Sequence, residues 1–108
     1  MAEETEASEF DWDGGNAEKN WLRHRVSQSE CEQVFFNRPL LVAEDLRHSD
    51  SEDRFLALGE SDAGRLLFVA YVLRGDRIRV ISAREMTRRE QKEYESARIQ
   101  ELEADPEV

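Results

Sequence analysis

The sequence predicts an α+β domain in which an antiparallel sheet meander is preceded by two short N-terminal helices and followed by a C-terminal helix. Three observations predict it. Apolar runs of strand character over 55–59, 66–73 and 77–83 are separated by short turns, Gly59 to Gly64 and Arg74-Gly75-Asp76, which suit hairpins. Ser27-Gln28-Ser29-Glu30 and Thr87-Arg88-Arg89-Glu90 have the spacing of capping boxes and open helices before and after those runs. The length of 108 residues at 39% hydrophobic content suits one domain with a modest core, so a bound partner would contribute much of its stability.

Along the chain, Phe10-Asp11-Trp12-Asp13 alternates apolar and acidic residues, which predicts a short half-buried strand at a sheet edge. Gly14-Gly15 breaks it, and Asn16 is the expected N-cap of a helix running to about His24, with Ala17, Trp21 and His24 on one face. The Ser27 helix carries a stripe of Cys31, Val34 and Phe35. Pro39 disfavours helical backbone at Arg38 and ends it, after which Leu40 to Ala43 reads as a buried strand. Residues 44–53 form an acid-rich loop. Leu66 to Leu73 is apolar on both faces and is expected to be the central strand. In the last strand a period of two sets Ile78, Val80, Ser82 and Arg84 on one side and Arg77, Arg79 and Ile81 on the other. The final helix is expected to reach about Leu102 with a thin apolar face of Tyr94, Ala97, Ile99 and Leu102. The expected organisation is a disordered acidic tail over 1–9, one domain over 10–95, and a helix end with an acidic tail over 96–108.

Composition narrows the chemistry. Cys31 is the single cysteine and the two histidines lie at 24 and 48, so neither a disulfide nor a zinc-ligand spacing is available; no metal and no cofactor are expected. No apolar run approaches the roughly 20 residues of a membrane span, and Met1 to Glu9 is acidic where a secretory signal is basic and then apolar. A cytoplasmic protein is expected. The formal net charge of -10 argues at first sight against nucleic acid as a partner. Yet eight acids sit in the two tails, whereas Arg74 to Lys92 holds seven basic residues and three acidic ones. One end of an acidic molecule is basic, although such a run is also what a solvated, salt-bridged face looks like.

Three stretches in order carry a family resemblance. They are Phe10-Asp11-Trp12-Asp13 with Asn20-Trp21-Leu22-Arg23-His24-Arg25-Val26-Ser27; Asp45-Leu46-Arg47-His48-Ser49 with Glu52-Asp53-Arg54-Phe55 and Gly59; and Gly75-Asp76-Arg77-Ile78-Arg79-Val80-Ile81-Ser82-Ala83-Arg84 with Thr87, Glu90 and Tyr94. Together they resemble the BrnT toxins of type II toxin–antitoxin systems, whose domain is similar to the RelE and ParE toxins. The resemblance implies a metal-independent endoribonuclease that arrests growth. It also implies neutralisation by a BrnA-like ribbon-helix-helix antitoxin that carries the complex to operator DNA, with two toxins and two antitoxins. Two departures are visible. Arg25 stands where the family has a glycine, at a point where a left-handed helix terminus favours Gly, and Gly14-Gly15-Asn16 replaces a proline-containing segment.

Cleavage through the RNA 2′-hydroxyl needs a proton acceptor, a donor at the leaving 5′-oxygen, and cations around the phosphate. Arginine suits the last role because its planar fork meets two oxygens and keeps its charge. The candidates are Arg84 and Ser82, with Arg54 and Arg74 at neighbouring strand ends, then Arg79, and His48 for proton transfer. Against each stands a plainer role: for Arg84 a pair with Glu85 or a capping contact, for Arg79 a solvated sheet face, for Ser82 a backbone hydrogen bond, and for His48 a bond to Asp45 or Asp50. His24, Trp12 and Trp21 read as structural, the tryptophans as core, and Cys31 as buried and inert. Two other functions compete: a catalytically weak module that binds the antitoxin as co-repressor, and an acidic mimic of nucleic acid.

Overall fold

The computed structural model describes residues 9–47 and 52–104. Of the disordered tail expected over 1–9, residues 1–8 lie outside the described residues and Glu9 lies in a strand instead; residues 105–108 of the expected C-terminal tail, and His48, also lie outside them. The elements are β1 (Glu9–Phe10), α1 (Gly14–His24), α2 (Gln28–Phe36), β2 (Leu41–Glu44), β3 (Arg54–Glu60), β4 (Leu66–Arg74), β5 (Arg77–Glu85) and α3 (Arg88–Ala104). The class is α+β, with one sheet in the order β1-β5-β4-β3-β2. Strands β2 to β5 follow one another as antiparallel neighbours, and β4 is central as expected. The sheet as a whole is mixed, because β1 pairs with β5 in parallel, Glu9 opposite Arg77 and Phe10 opposite Ile78. A purely antiparallel meander therefore describes four of the strands and not the fifth.

The N-terminal segment differs from the expectation in a second way. The strand stops at Phe10, and Asp13 is the N-cap of α1: its side chain accepts from the Asn16 amide while the Asn16 side chain accepts from the Asp13 amide. Gly14 and Gly15 form the first turn rather than a break. Asn16 is thus the third helical residue, which closes the capping box. The Ser27 and Thr87 boxes form as the spacing predicts.

Helices α1 and α2 cover one face of the sheet. Val26, Cys31, Val34 and Phe35 pack there against Ala57, Leu67, Val69, Tyr71, Ile78, Val80 and Ala83. Phe35 meets the Tyr71 ring edge-on at 5.1 Å and Phe10 at 5.7 Å, a geometry that adds to plain area burial. At Gly59 the approach of α2 is so close that a Cβ would lie 2.6 Å from Val34 Cγ1. Trp12 packs partly against this core and its indole donates to Glu32 at 2.8 Å. Trp21 does not join it: it is exposed, with the Arg25 guanidinium over its ring.

The outer edge of β5 runs on beyond two-residue β1, and α1 completes it. The Asn16 Nδ2 donates to the Val80 carbonyl at 3.0 Å and the Ala83 amide donates to Asn20 Oδ1 at 3.0 Å. Both asparagines are buried, so each satisfies a backbone group that has lost its water. The other edge, β2, is exposed over Val42 to Glu44, where a buried strand was expected. It lies beyond the reach of the two helices. Arg25 ends α1 at φ 56°, ψ 40°, the left-handed terminus the sequence suggested, here occupied by a residue with a Cβ.

Helix α3 is held mainly through Tyr94. Its ring is fully buried and its hydroxyl donates to the Pro39 carbonyl at 2.7 Å, while Arg98 pairs with Glu60. Ile99 and Leu102 further along are exposed, in keeping with the thin apolar face. Among the described residues no helix is long and apolar enough to cross a membrane.

Candidate functional site

The placement of the candidate residues turns on one irregularity in β5. Ser82 lies opposite Ala70 and Val80 opposite Tyr71, so Ile81 has no partner and the strand bulges there. A bulge inserts one residue and reverses the alternation beyond it. Ile78 and Val80 face the core before the bulge and Ala83 faces it afterwards. Ser82 and Arg84 therefore lie on the face of Arg77 and Arg79, not with Ile78 and Val80 as a strict period of two predicts. The register carries the same face across the sheet: Arg84 is opposite Phe68, Arg79 opposite Val72, Arg74 opposite Arg77, and Arg54 opposite Val72 from the other side. All five described candidates, Arg54, Arg74, Arg79, Ser82 and Arg84, share the face turned away from α1 and α2.

Within that face they form two groups. Arg54, Arg74 and Arg79 gather around Val72, with Arg77 beside them. Arg84 stands at Phe68, four residues along β4, roughly 13 Å away at the rise of a strand. Ser82 is between them, half-buried, and its hydroxyl makes no hydrogen bond among the described residues. The backbone bond offered as its plainer role is therefore not made.

Every arginine of the set meets a carboxylate. Arg74 is bidentate on Glu52, at 2.7 and 3.1 Å. Arg79 reaches Asp13 at 2.9 Å and Asp11 at 3.4 Å. Arg54 lies 3.6 Å from Asp45. Arg84 is bidentate on Glu90, at 2.9 and 3.1 Å, donates to the Glu85 carbonyl at 3.1 Å, and covers the Phe68 ring with its guanidinium carbon 4.0 Å from the centroid. The capping contact weighed for Arg84 is thus present through Glu90, whereas the Glu85 carboxylate pairs with Arg65. Three of these acids are held ionised. The Arg84 hydrogen bond keeps Glu90 below the usual carboxylate range, Arg74 does the same for Glu52, and the Asn16 amide and then Arg79 do so for Asp13.

Such a face can bind phosphate oxygens if the carboxylates give way, since an arginine fork donates to either anion bidentately. It is less well supplied for proton transfer. Carboxylates held ionised by arginine are weak bases at neutral pH, and His24, at the end of α1, belongs to the other side of the sheet. Cys31 is buried among apolar residues and its thiol is pushed up to about 12, chiefly by desolvation, so it is no nucleophile. Among the described residues no three His, Cys, Asp or Glu side chains gather as a metal site would need.

Sequence reasoning missed Glu90, Glu52 and Asp13 as partners of the arginines, and Phe68 as the platform under Arg84. The capping-box spacing marked Glu90 as a helix-start residue, but nothing local tells that its carboxylate also reaches back across the strand end. Arg65 was missed too. It ties the His24 and Arg25 carbonyls to Glu30 and Glu85, a structural knot at the α1–α2 junction.

A search of the curated proteins finds no match. Residues 12–90, well over half of the chain and all of the face just described, match the family model described as the ribonuclease toxin, BrnT, of type II toxin-antitoxin systems; the chain belongs to the BrnT family of toxins.

Proposed function

We propose that this chain is an endoribonuclease toxin whose active face is the sheet surface bearing Arg54, Arg74, Arg79, Ser82 and Arg84. The observation that carries the reading is the bulge at Ile81, which sets Ser82 and Arg84 on the same face as the other arginines, over a partly apolar floor. Arg84 contacts the scissile or a flanking phosphate, Phe68 supports it, and Ser82 offers a hydroxyl to the reacting oxygens. His48 remains a candidate for proton transfer. In keeping with the resemblance, cleavage is metal-independent and takes place in the cytoplasm. The antitoxin is BrnA-like, and two toxins with two antitoxins repress their own operon, the toxin reaching operator DNA only through the antitoxin. The catalytic unit is the domain over 10–95, flanked by acidic tails. The antiparallel order of β2 to β5 with two helices on one face supports the RelE/ParE-like architecture that the resemblance implies.

A second reading, a catalytically weak antitoxin-binding co-repressor, has its own support: every arginine of the face is engaged by a carboxylate. Incubation of the purified chain with a defined RNA in EDTA separates the two. Cleavage that disappears in Arg84→Ala and on adding antitoxin supports the toxin reading. Intact RNA after incubation with folded protein that still binds antitoxin supports the co-repressor.

A further inference from the structure

Arg84 and Glu90 meet fork to fork, Nη1 on Oε1 at 2.9 Å and Nη2 on Oε2 at 3.1 Å. A carboxylate in this pose presents two oxygens much as a phosphate does. Nη1 also donates to the Glu85 carbonyl, and one side of the guanidinium lies on Phe68. The edge of Arg84 that would grip a phosphate is therefore already filled. The same carboxylate serves a second purpose, since Oε1 accepts the Thr87 amide at 2.9 Å while the Thr87 hydroxyl accepts the Glu90 amide at 3.2 Å. That cap needs an oxygen and not a charge, and glutamine serves as well as glutamate. Arg79 differs: one of its two carboxylates, Asp13, is the N-cap of α1 and is more costly to release.

The geometry points to Glu90 as an internal anion that competes with phosphate for Arg84 and so sets the affinity of this face for RNA. The inference rests on the proposed role of Arg84 in phosphate contact. Glu90 is placed to act this way because it joins Arg84 only through its side chain, on the first turn of α3, and can rotate away while the helix stays formed. Glu93 provides an internal comparison. It lines the same groove between α3 and the sheet, with Leu56, Leu58 and Phe68, and makes no ion pair among the described residues, so its removal changes the net charge equally without freeing Arg84.

The test uses the full chain and a short fluorescent single-stranded oligonucleotide lacking 2′-hydroxyls, so that binding is read by anisotropy without cleavage. E90Q is expected to bind about three- to tenfold more tightly than the parent. E93Q should gain at most about twofold, through general charge, and E90Q should gain nothing beyond that in an R84A background. Equal gains for E90Q and E93Q would overturn the inference, as would weaker binding by an E90Q protein of normal thermal stability, which would make Glu90 a residue that orients Arg84. Should E90Q not fold, E90D, which keeps the charge but withdraws it from the fork, is expected to gain in the same direction. The two levels separate cleanly: R84A binding as well as the parent defeats the role of Arg84 itself, whereas weakened R84A with unchanged E90Q defeats only the competition.

Discussion

The two faces of the sheet are built on opposite principles. The face under α1 and α2 is a packed apolar layer in which Val34, Leu67, Val69 and Val80 have no exposed surface, and the polar groups that enter it, Asn16 and Asn20, are fixed by hydrogen bonds to β5. The other face carries arginines in ion pairs, with side chains such as Arg74 about half exposed. Burial of apolar area stabilises the first by roughly 25 cal/mol per Å², whereas partly exposed ion pairs contribute about 0–1 kcal/mol each. The comparison teaches that the first face holds most of the fold, whereas the arginine pairs of the second can change partners at little cost.

Substitutions can break that comparison or sharpen it. Leu67→Ala, in the middle of the packed layer, should lower the unfolding free energy by about 3 kcal/mol in urea titrations; a loss as small as that of any arginine on the other face would refute the division. Asn20→Ala leaves the buried Ala83 amide without its acceptor and should cost about 2 kcal/mol, with faster hydrogen exchange at Ala83 as the local sign. Arg25→Gly should raise stability by about 0.5–1 kcal/mol, because glycine takes the left-handed conformation without a Cβ penalty, read as a higher midpoint at unchanged slope.

The smallest effect belongs to the paired face and depends on pH. Glu90 titrates lower in the folded chain than its ordinary 4.5, held down by Arg84. Its contribution is therefore complete above about pH 5 and is lost as the pH falls through the folded value. The stability gap between the parent and E90Q, a few tenths of a kcal/mol for a pair of this exposure, should close on acidification below pH 4.5. A gap that widens there would contradict the assigned direction.

Much of the fold was legible beforehand because its signals are local. The Ser27 and Thr87 capping boxes, the stripe of Cys31, Val34 and Phe35, and the doubly apolar run that becomes β4 each follow from spacing within a few residues. Where local spacing allowed two answers, it failed: Asp13 and Asn16 both suit an N-cap, and tertiary bonds from Asn16 to Val80 fix which one is used. Leu41 to Glu44 has a strand's composition, but whether a strand is covered depends on where distant helices end. The paired face was legible in its residue types and not in its arrangement. Arg54, Arg74, Arg79, Ser82 and Arg84 could be named from the sequence, yet the single unpaired residue Ile81 decided which way two of them point, and a bulge leaves no composition signal here.

The asparagines of α1 have a consequence for how copies of this protein meet. A sheet that grows into a fibre must offer a usable strand on both sides, one to receive a neighbour and one to pass the pairing on. Among the described residues one side ends in two-residue β1 and is closed further along β5 by Asn16 and Asn20, whereas β2 presents the longer open edge. A strand added at β2 would therefore find no edge of like length on the far side to pass the pairing on.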